Sequence, residues 1–209
     1  MPARVLTILL SLGLTISGVL LARSVSDFNL PGNNQGYEPA QPIAYSHRLH
    51  AGEMQIPCLY CHSGAEKSRN AGIPAASVCM NCHQFVTANL GAVRAEDEAA
   101  QNEKRSPRRI VSPELQKLYD AMDPAKPAKP IVWTRIHSLP DLAYFDHRSH
   151  VNKGVSCQTC HGPVETMERV RQVPDLTMGW CVNCHRTTNA SGIAGKPVHA
   201  SLDCVTCHF

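Results

Sequence analysis

Cys157-Gln-Thr-Cys160-His161 and Cys181-Val-Asn-Cys184-His185 are two copies of one five-residue pattern. Three more stand at Cys58-Leu-Tyr-Cys61-His62, Cys79-Met-Asn-Cys82-His83 and Cys204-Val-Thr-Cys207-His208, and together the copies use all ten cysteines. C-x-x-C-H is the attachment sequence of c-type haem. Two thiols separated by two residues reach the two vinyl groups of one porphyrin, and the adjacent imidazole then lies under the iron as proximal ligand. A disulfide framework has no need of a His after every second Cys. Five pairs cannot be grouped in twos into four-cysteine zinc sites, and a thioredoxin-like motif would occur once. The expectation is five covalently bound haem c groups, with His62, His83, His161, His185 and His208 as proximal ligands.

Composition points the same way. The 209 residues are 5% aromatic and 43% hydrophobic, with part of the hydrophobic share in one N-terminal run. Side chains alone therefore offer little apolar surface for a core of this size, and porphyrins are expected to fill the interior. The fold class that follows is mainly α and irregular: a multihaem cytochrome c with short helices and loops packed on haems and little sheet. Twenty basic against 17 acidic residues leave a net charge of +3, too weak a field for a nucleic-acid partner held through phosphates.

Six histidines lie outside the motifs: His47, His50, His137, His147, His150 and His199. Tyr45-Ser-His-Arg-Leu-His50 recurs one hundred residues later as Phe145-Asp-His-Arg-Ser-His150. Each copy reads aromatic-x-His-x-x-His. A C-x-x-C-H follows after seven or six residues, and another after a further 16 or 19. This is an internal duplication of a two-haem unit, and His199, a further expected distal ligand, begins a shorter third unit before the Cys204 motif. Two histidines three apart on a helical turn point the same way but not to one iron, so each pair is expected to serve two neighbouring haems. Two further residues remain open. His137 reads equally as a hydrogen-bonded turn residue or a distal ligand. Met178 reads as core filler or as a thioether ligand, which raises a haem potential relative to a second His.

An uncharged apolar run from Val5 to Ala22 spans 18 residues, roughly 27 Å as a helix and close to the hydrocarbon thickness of a bilayer. A cleaved signal peptide is the alternative, but its apolar core is usually shorter and ends in a small-x-small site. A retained signal anchor is therefore expected over residues 1–28. C-type haems are attached on the outer face of the energy-transducing membrane, so the body is expected on the periplasmic side of the cytoplasmic membrane. A Pro/Gly/Asn-rich tether over 29–42 follows, then a two-haem unit over 43–92, a haem-free insertion over 93–137 and a three-haem unit over 138–209. Within the insertion, Pro113 to Met122 reads as a short helix, with Ser112 as cap and Pro113 at the first helical position. Asp123 to Pro130 reads as a stiff linker.

The His-x-x-His before C-x-x-C-H resembles the arrangement in small class III multihaem cytochromes. That resemblance implies His47 as distal ligand of the Cys58 haem and His147 as distal ligand of the Cys157 haem, with His50 and His150 reaching other haems. Nearly the whole chain resembles the pentahaem cytochrome c subunits of bacterial alternative complex III, a membrane quinol:electron-acceptor oxidoreductase. The residues that carry this likeness are Ile43-Ala-Tyr-Ser-His-Arg-Leu-His50, Ile56-Pro-Cys-Leu-Tyr-Cys-His62, Phe145-Asp-His-Arg-Ser-His150, Cys157-Gln-Thr-Cys-His-Gly-Pro-Val164, Met167-Glu-Arg-Val170 and Leu176-Thr-Met-Gly-Trp-Cys-Val-Asn-Cys-His-Arg186. It implies an electron relay with no catalytic residue of its own. Quinol-oxidising and iron–sulfur subunits would feed it, and it would discharge to a monohaem cytochrome c or a terminal oxidase. Two other functions fit the motifs less well: a self-sufficient quinol dehydrogenase feeding a periplasmic reductase, and a multihaem reductase, which needs an iron with an open position.

Overall fold

The computed structural model describes residues 3–26, 33–125, 127 and 130–208. The ends of the expected anchor and parts of the expected tether and linker lie outside these residues. Helix α1 (Ala3–Ser26) is apolar along its length. Its segment Arg4–Arg23 has a mean hydropathy of 2.3 and is not buried among the described residues; it is long and apolar enough to cross a membrane.

The remaining helices are short, and most exist to present a motif. α2 (Cys58–Cys61), α7 (Cys157–His161) and α9 (Cys204–Cys207) are each a single helical turn holding one Cys-x-x-Cys. α3 (Ala76–His83) and α8 (Met178–Ser191) carry the other two motifs inside longer helices. Residues three apart on a helix share a face, so one turn is enough to set the two thiols of a motif side by side. Among the described residues there is no strand, only isolated bridges at Ala143–His208 and Ile193–Lys196.

The insertion holds two helices, the second of which packs against α3. α4 (Leu90–Asn102) begins where the Asn89 side chain accepts from Ala92 N at 2.8 Å. α5 (Pro113–Met122) begins with the expected cap, Ser112 Oγ accepting from Leu115 N. Thr87 joins the two sides of the loop, its hydroxyl donating to Ile110 O at 2.5 Å and its carbonyl accepting from Ser112 N at 2.9 Å. Tyr119 on α5 then donates to the carbonyl of His83 at 2.5 Å, which ties the insertion to a motif histidine.

The two repeats clasp one another. The first aromatic-His segment continues into a π-helical turn, Arg48–Glu53, and the second forms α6 (His147–Val151). Arg48 N donates to Met167 O, beyond the second repeat's first motif. Reciprocally, His147 N and Arg148 N donate to Arg69 O and Ser68 O, beyond the first repeat's first motif. Arg48 pairs with Glu53 and Glu168, and Asn152 Nδ2 reaches Glu66 O at 3.2 Å. Gly52 lies against the carbonyl of Glu165, where a Cβ would collide with it. Few apolar side chains are buried in all this: among the described residues Ala65, Ala100, Leu118 and Met167.

Candidate functional site

The five motif imidazoles are aimed by contacts at Nδ1. His62 donates to Gly72 O at 2.7 Å, His83 to Val86 O at 2.8 Å, His185 to Ser201 O at 2.6 Å and His208 to Leu142 O at 3.2 Å. A carbonyl oxygen only accepts, so Nδ1 carries the hydrogen and Nε2 keeps its lone pair for a metal. Imidazoles that ligate metals are held by this kind of outer contact. His161 differs, because its Nδ1 faces Nε2 of His137 at 3.3 Å.

The histidines of the repeated segment are fixed similarly. His50 Nδ1 donates to Ser46 O and His150 Nδ1 to Asp146 O, both at 2.8 Å and both one turn back along the chain. His147 Nδ1 donates to Arg69 O at 2.8 Å, whereas the buried Nδ1 of His47 has no hydrogen-bond partner. An aromatic ring stands between the two histidines of each copy. Tyr45 stacks on His50 at 4.4 Å and meets His47 edge-on at 4.9 Å; Phe145 stacks on His150 at 4.6 Å and meets His147 edge-on at 4.9 Å.

The structure brings these histidines up to the motif imidazoles. Ring centres are 6.0 Å apart for His50 and His83, 6.1 Å for His150 and His185, and 6.3 Å for His147 and His161. His47 lies within electrostatic reach of His62. Two imidazoles on opposite sides of one metal hold their ring centres roughly 6 Å apart, from nitrogen–metal bonds of about 2 Å plus the ring radii. The three measured separations fit an iron between each pair. Burial, with neighbouring imidazoles adding to it, holds His47 down at about 4 and His161 at about 3. Both are therefore neutral near pH 7, the form that can bind a metal. Among the described residues no group of three or more His, Cys, Asp or Glu could hold a metal ion. The arrangement is one of imidazole pairs, as a porphyrin-bound iron needs.

None of the ten cysteines is disulfide-bonded. The motifs follow one another in space in an order unlike their order in sequence. Burial raises the Cys61 thiol first, and its next neighbour is Cys79. Burial likewise raises Cys157, which is hydrogen-bonded to Cys58, and raises Cys160 to about 11 beside Cys184 and Cys181. Cys181 in turn lies near Cys207. These electrostatic neighbours run from the Cys79 motif to Cys58, Cys157, Cys181 and finally Cys204.

The other expected ligands stand differently. Met178 is the first residue of α8 and is 69% exposed. His199 is exposed, beside Ala200, which Asn189 grips through both backbone groups at 2.6 and 2.8 Å. The backbone carbonyls that orient the motif histidines could not be found from sequence, since any residue supplies one. The His137–His161 contact had only the presence of a spare histidine to signal it.

The family described as cytochrome c7 and related cytochrome c matches residues 143–209. The chain is also similar to a "Menaquinone reductase, multiheme cytochrome c subunit" of Nitratidesulfovibrio vulgaris strain Hildenborough. The two are 25% identical over 188 residues, 80% of this chain and 76% of that protein. Over residues 143–209 the chain is thus similar to cytochrome c7 and related cytochrome c, a likeness in keeping with covalent haem c at its Cys-x-x-Cys-His motifs.

Proposed function

We propose that this chain is the membrane-anchored pentahaem relay of a quinone-linked respiratory complex. Haem c at each motif would supply one-electron transfer, with the potential set by axial ligand, burial and nearby hydrogen bonds. The carrying observation is the set of imidazole pairs about 6 Å apart beside an unbroken spatial series of five Cys-x-x-Cys motifs. The ten motif cysteines form the thioethers. His62, His83, His161, His185 and His208 are proximal ligands. His47, His50, His147 and His150 serve as distal ligands to the Cys58, Cys79, Cys157 and Cys181 sites in turn. His199 is the distal candidate for the Cys204 site, with Met178 in reserve. Six-coordinate sites with both ligands from the chain suit a relay, because they bind no substrate.

The Cys79 and Cys204 sites are then the two ends of the conduit, and the Cys58–Cys157 junction is its middle. Helix α1 anchors the body on the periplasmic face. The helix alone offers little quinone pocket, so the quinone site belongs to a membrane-embedded neighbour, with an iron–sulfur subunit as a second partner. The likeness to alternative complex III subunits has electrons leaving quinol for a monohaem cytochrome c or a terminal oxidase. The N. vulgaris relative is named for menaquinone reduction, which favours a second reading with the current reversed.

Gentle solubilisation from native membranes tests the proposal. The expected result is copurification with membrane and iron–sulfur subunits, five haems per chain by pyridine haemochrome, and reduction of all of them by added menaquinol. Menaquinone reduced by the complex from a low-potential donor, without the converse reaction, would select the reversed current. A chain that purifies alone and oxidises quinol would overturn the relay reading, as would one with clearly fewer than five haems.

A further inference from the structure

Four of the five motif histidines donate Nδ1–H to a backbone carbonyl, and the fifth does not. His161 Nδ1 faces His137 Nε2 at 3.3 Å, the two rings edge to face with centres 4.3 Å apart. That separation is too small for a metal ion between them, which needs roughly 6 Å. The contact also falls on Nδ1 of His161, the edge of the ring away from the Nε2 that a metal would use.

His137 is held there by the chain's own hydrogen bonds. Its carbonyl accepts from Arg135 Nε at 2.9 Å. On one side Asn34 Nδ2 donates to Ile136 O at 2.9 Å, and on the other Ser138 N donates to Gln172 Oε1 at 3.2 Å. Gln172 is fully buried and is also bonded through its backbone to Gly36 and Tyr37. Further back, Gln41 and Thr134 exchange side-chain-to-backbone hydrogen bonds of 3.0 and 2.9 Å. Three extended segments, 34–41, 134–138 and 172–174, are thereby laced together around Gln172, and His137 projects from the lacing onto His161. On the far side, Gly162 (φ +72) leaves no room for a side chain, since a Cβ there would lie 2.5 Å from Val173.

We propose that His137 is a positioning residue for the Cys157–Cys160 haem: its Nε2 accepts the Nδ1–H of His161 and thereby fixes the tautomer, orientation and donor strength of that one proximal ligand. The inference rests on the reading of His161 as a proximal ligand. An acceptor at Nδ1–H makes the imidazole a stronger electron donor to a metal at Nε2 and lowers the reduction potential. In this protein that contact is the one of the five carried by a side chain, so it can be removed by substitution without disturbing the backbone.

The test compares His137→Phe and His137→Leu, which remove the acceptor, with His137→Gln, which keeps one. Each full-length membrane-solubilised protein is followed by haem content, low-temperature EPR and potentiometric titration. In His137→Phe or His137→Leu all haems stay low-spin, and the reduction equilibrium of one shifts upward about tenfold, or about 59 mV for a one-electron couple. The other four stay in place, and His137→Gln stays close to wild type. His137→Leu serves if the bulkier ring prevents folding. A new high-spin, carbon-monoxide-binding haem in these variants would make His137 an iron ligand and overturn the proposal. Unchanged potentials in all of them would overturn it as well. Failure of the underlying reading would appear separately, as a wild-type protein lacking a haem at Cys157–Cys160.

Discussion

The two repeats place their aromatic-His-x-x-His segments almost identically, yet support them differently. Tyr45 and Phe145 make the same pair of ring contacts to within 0.2 Å. The ring separations between the second histidine of each copy and its motif imidazole differ by 0.1 Å. Around that constant frame the supports diverge. The first copy runs into a π-helical turn and the second into an α-helix. Ser46 accepts from Leu49 N in the first, whereas Asp146, buried in the second, accepts from Arg148 N and the Arg148 guanidinium. His62 has a carbonyl partner where His161 has His137. The placement of the imidazole rings is the quantity held fixed between the two copies; the contacts one step further out differ.

The comparison can be broken hardest at the histidines. Replacing His47 or His147 by Ala is expected to open one iron in each case, giving one carbon-monoxide-binding haem per chain in reduced protein, read optically. The two variants should differ in which haem responds. Equal, silent behaviour of both would remove them from the ligand set.

Gly52 tests the clasp between repeats. Gly52→Val drives a side chain into the Glu165 carbonyl, an overpacking expected to cost about 1–3 kcal/mol. Val has no such consequence at Gly18 of α1, which has open space around its Cβ position and no positive φ. Thermal unfolding of the two variants with haems in place should rank Gly52→Val as the less stable.

The smallest effect is expected at the caps. Asp146→Ala should cost about 1 kcal/mol and Ser46→Ala less, because the first removes a helix N-cap and a partly buried ion pair while the second removes only exposed hydrogen bonds, to Leu49 N and Glu168. Chemical denaturation with haems intact would rank them, and a reversed order would mean that the π-helical turn depends more on the Ser46 hydroxyl than α6 does on Asp146.

Much of this molecule was legible in its sequence, for a chemical reason. A Cys-x-x-Cys-His pattern is local, so Cys58 to His62 and its four relatives stand out without any knowledge of the fold, and each is found on a helical turn. The helix beginning at Ser112-Pro113 was equally plain, because a cap and a proline at the first helical position act locally. What could not be read was the spatial order of the motifs. That order depends on the clasp, which rests on backbone groups of Ser68, Arg69 and Met167 that carry no residue signature. Nor could the segment expected as a tether be foreseen as half of a lacing around Gln172: Gln41 and Thr134 are 93 residues apart and of types common in any loop. His137 was visible as a residue and ambiguous as a role, since imidazole serves as ligand, acceptor and donor alike.

The clasp also bears on how the protein comes to exist. Arg69 finds its partner His147 a full 78 residues downstream. In a chain delivered across a membrane from its amino terminus, the leading pair of Cys-x-x-Cys motifs emerges while that partner is still inside. Whatever is done to those leading cysteines at that stage is done to a half not yet gripped by its partner.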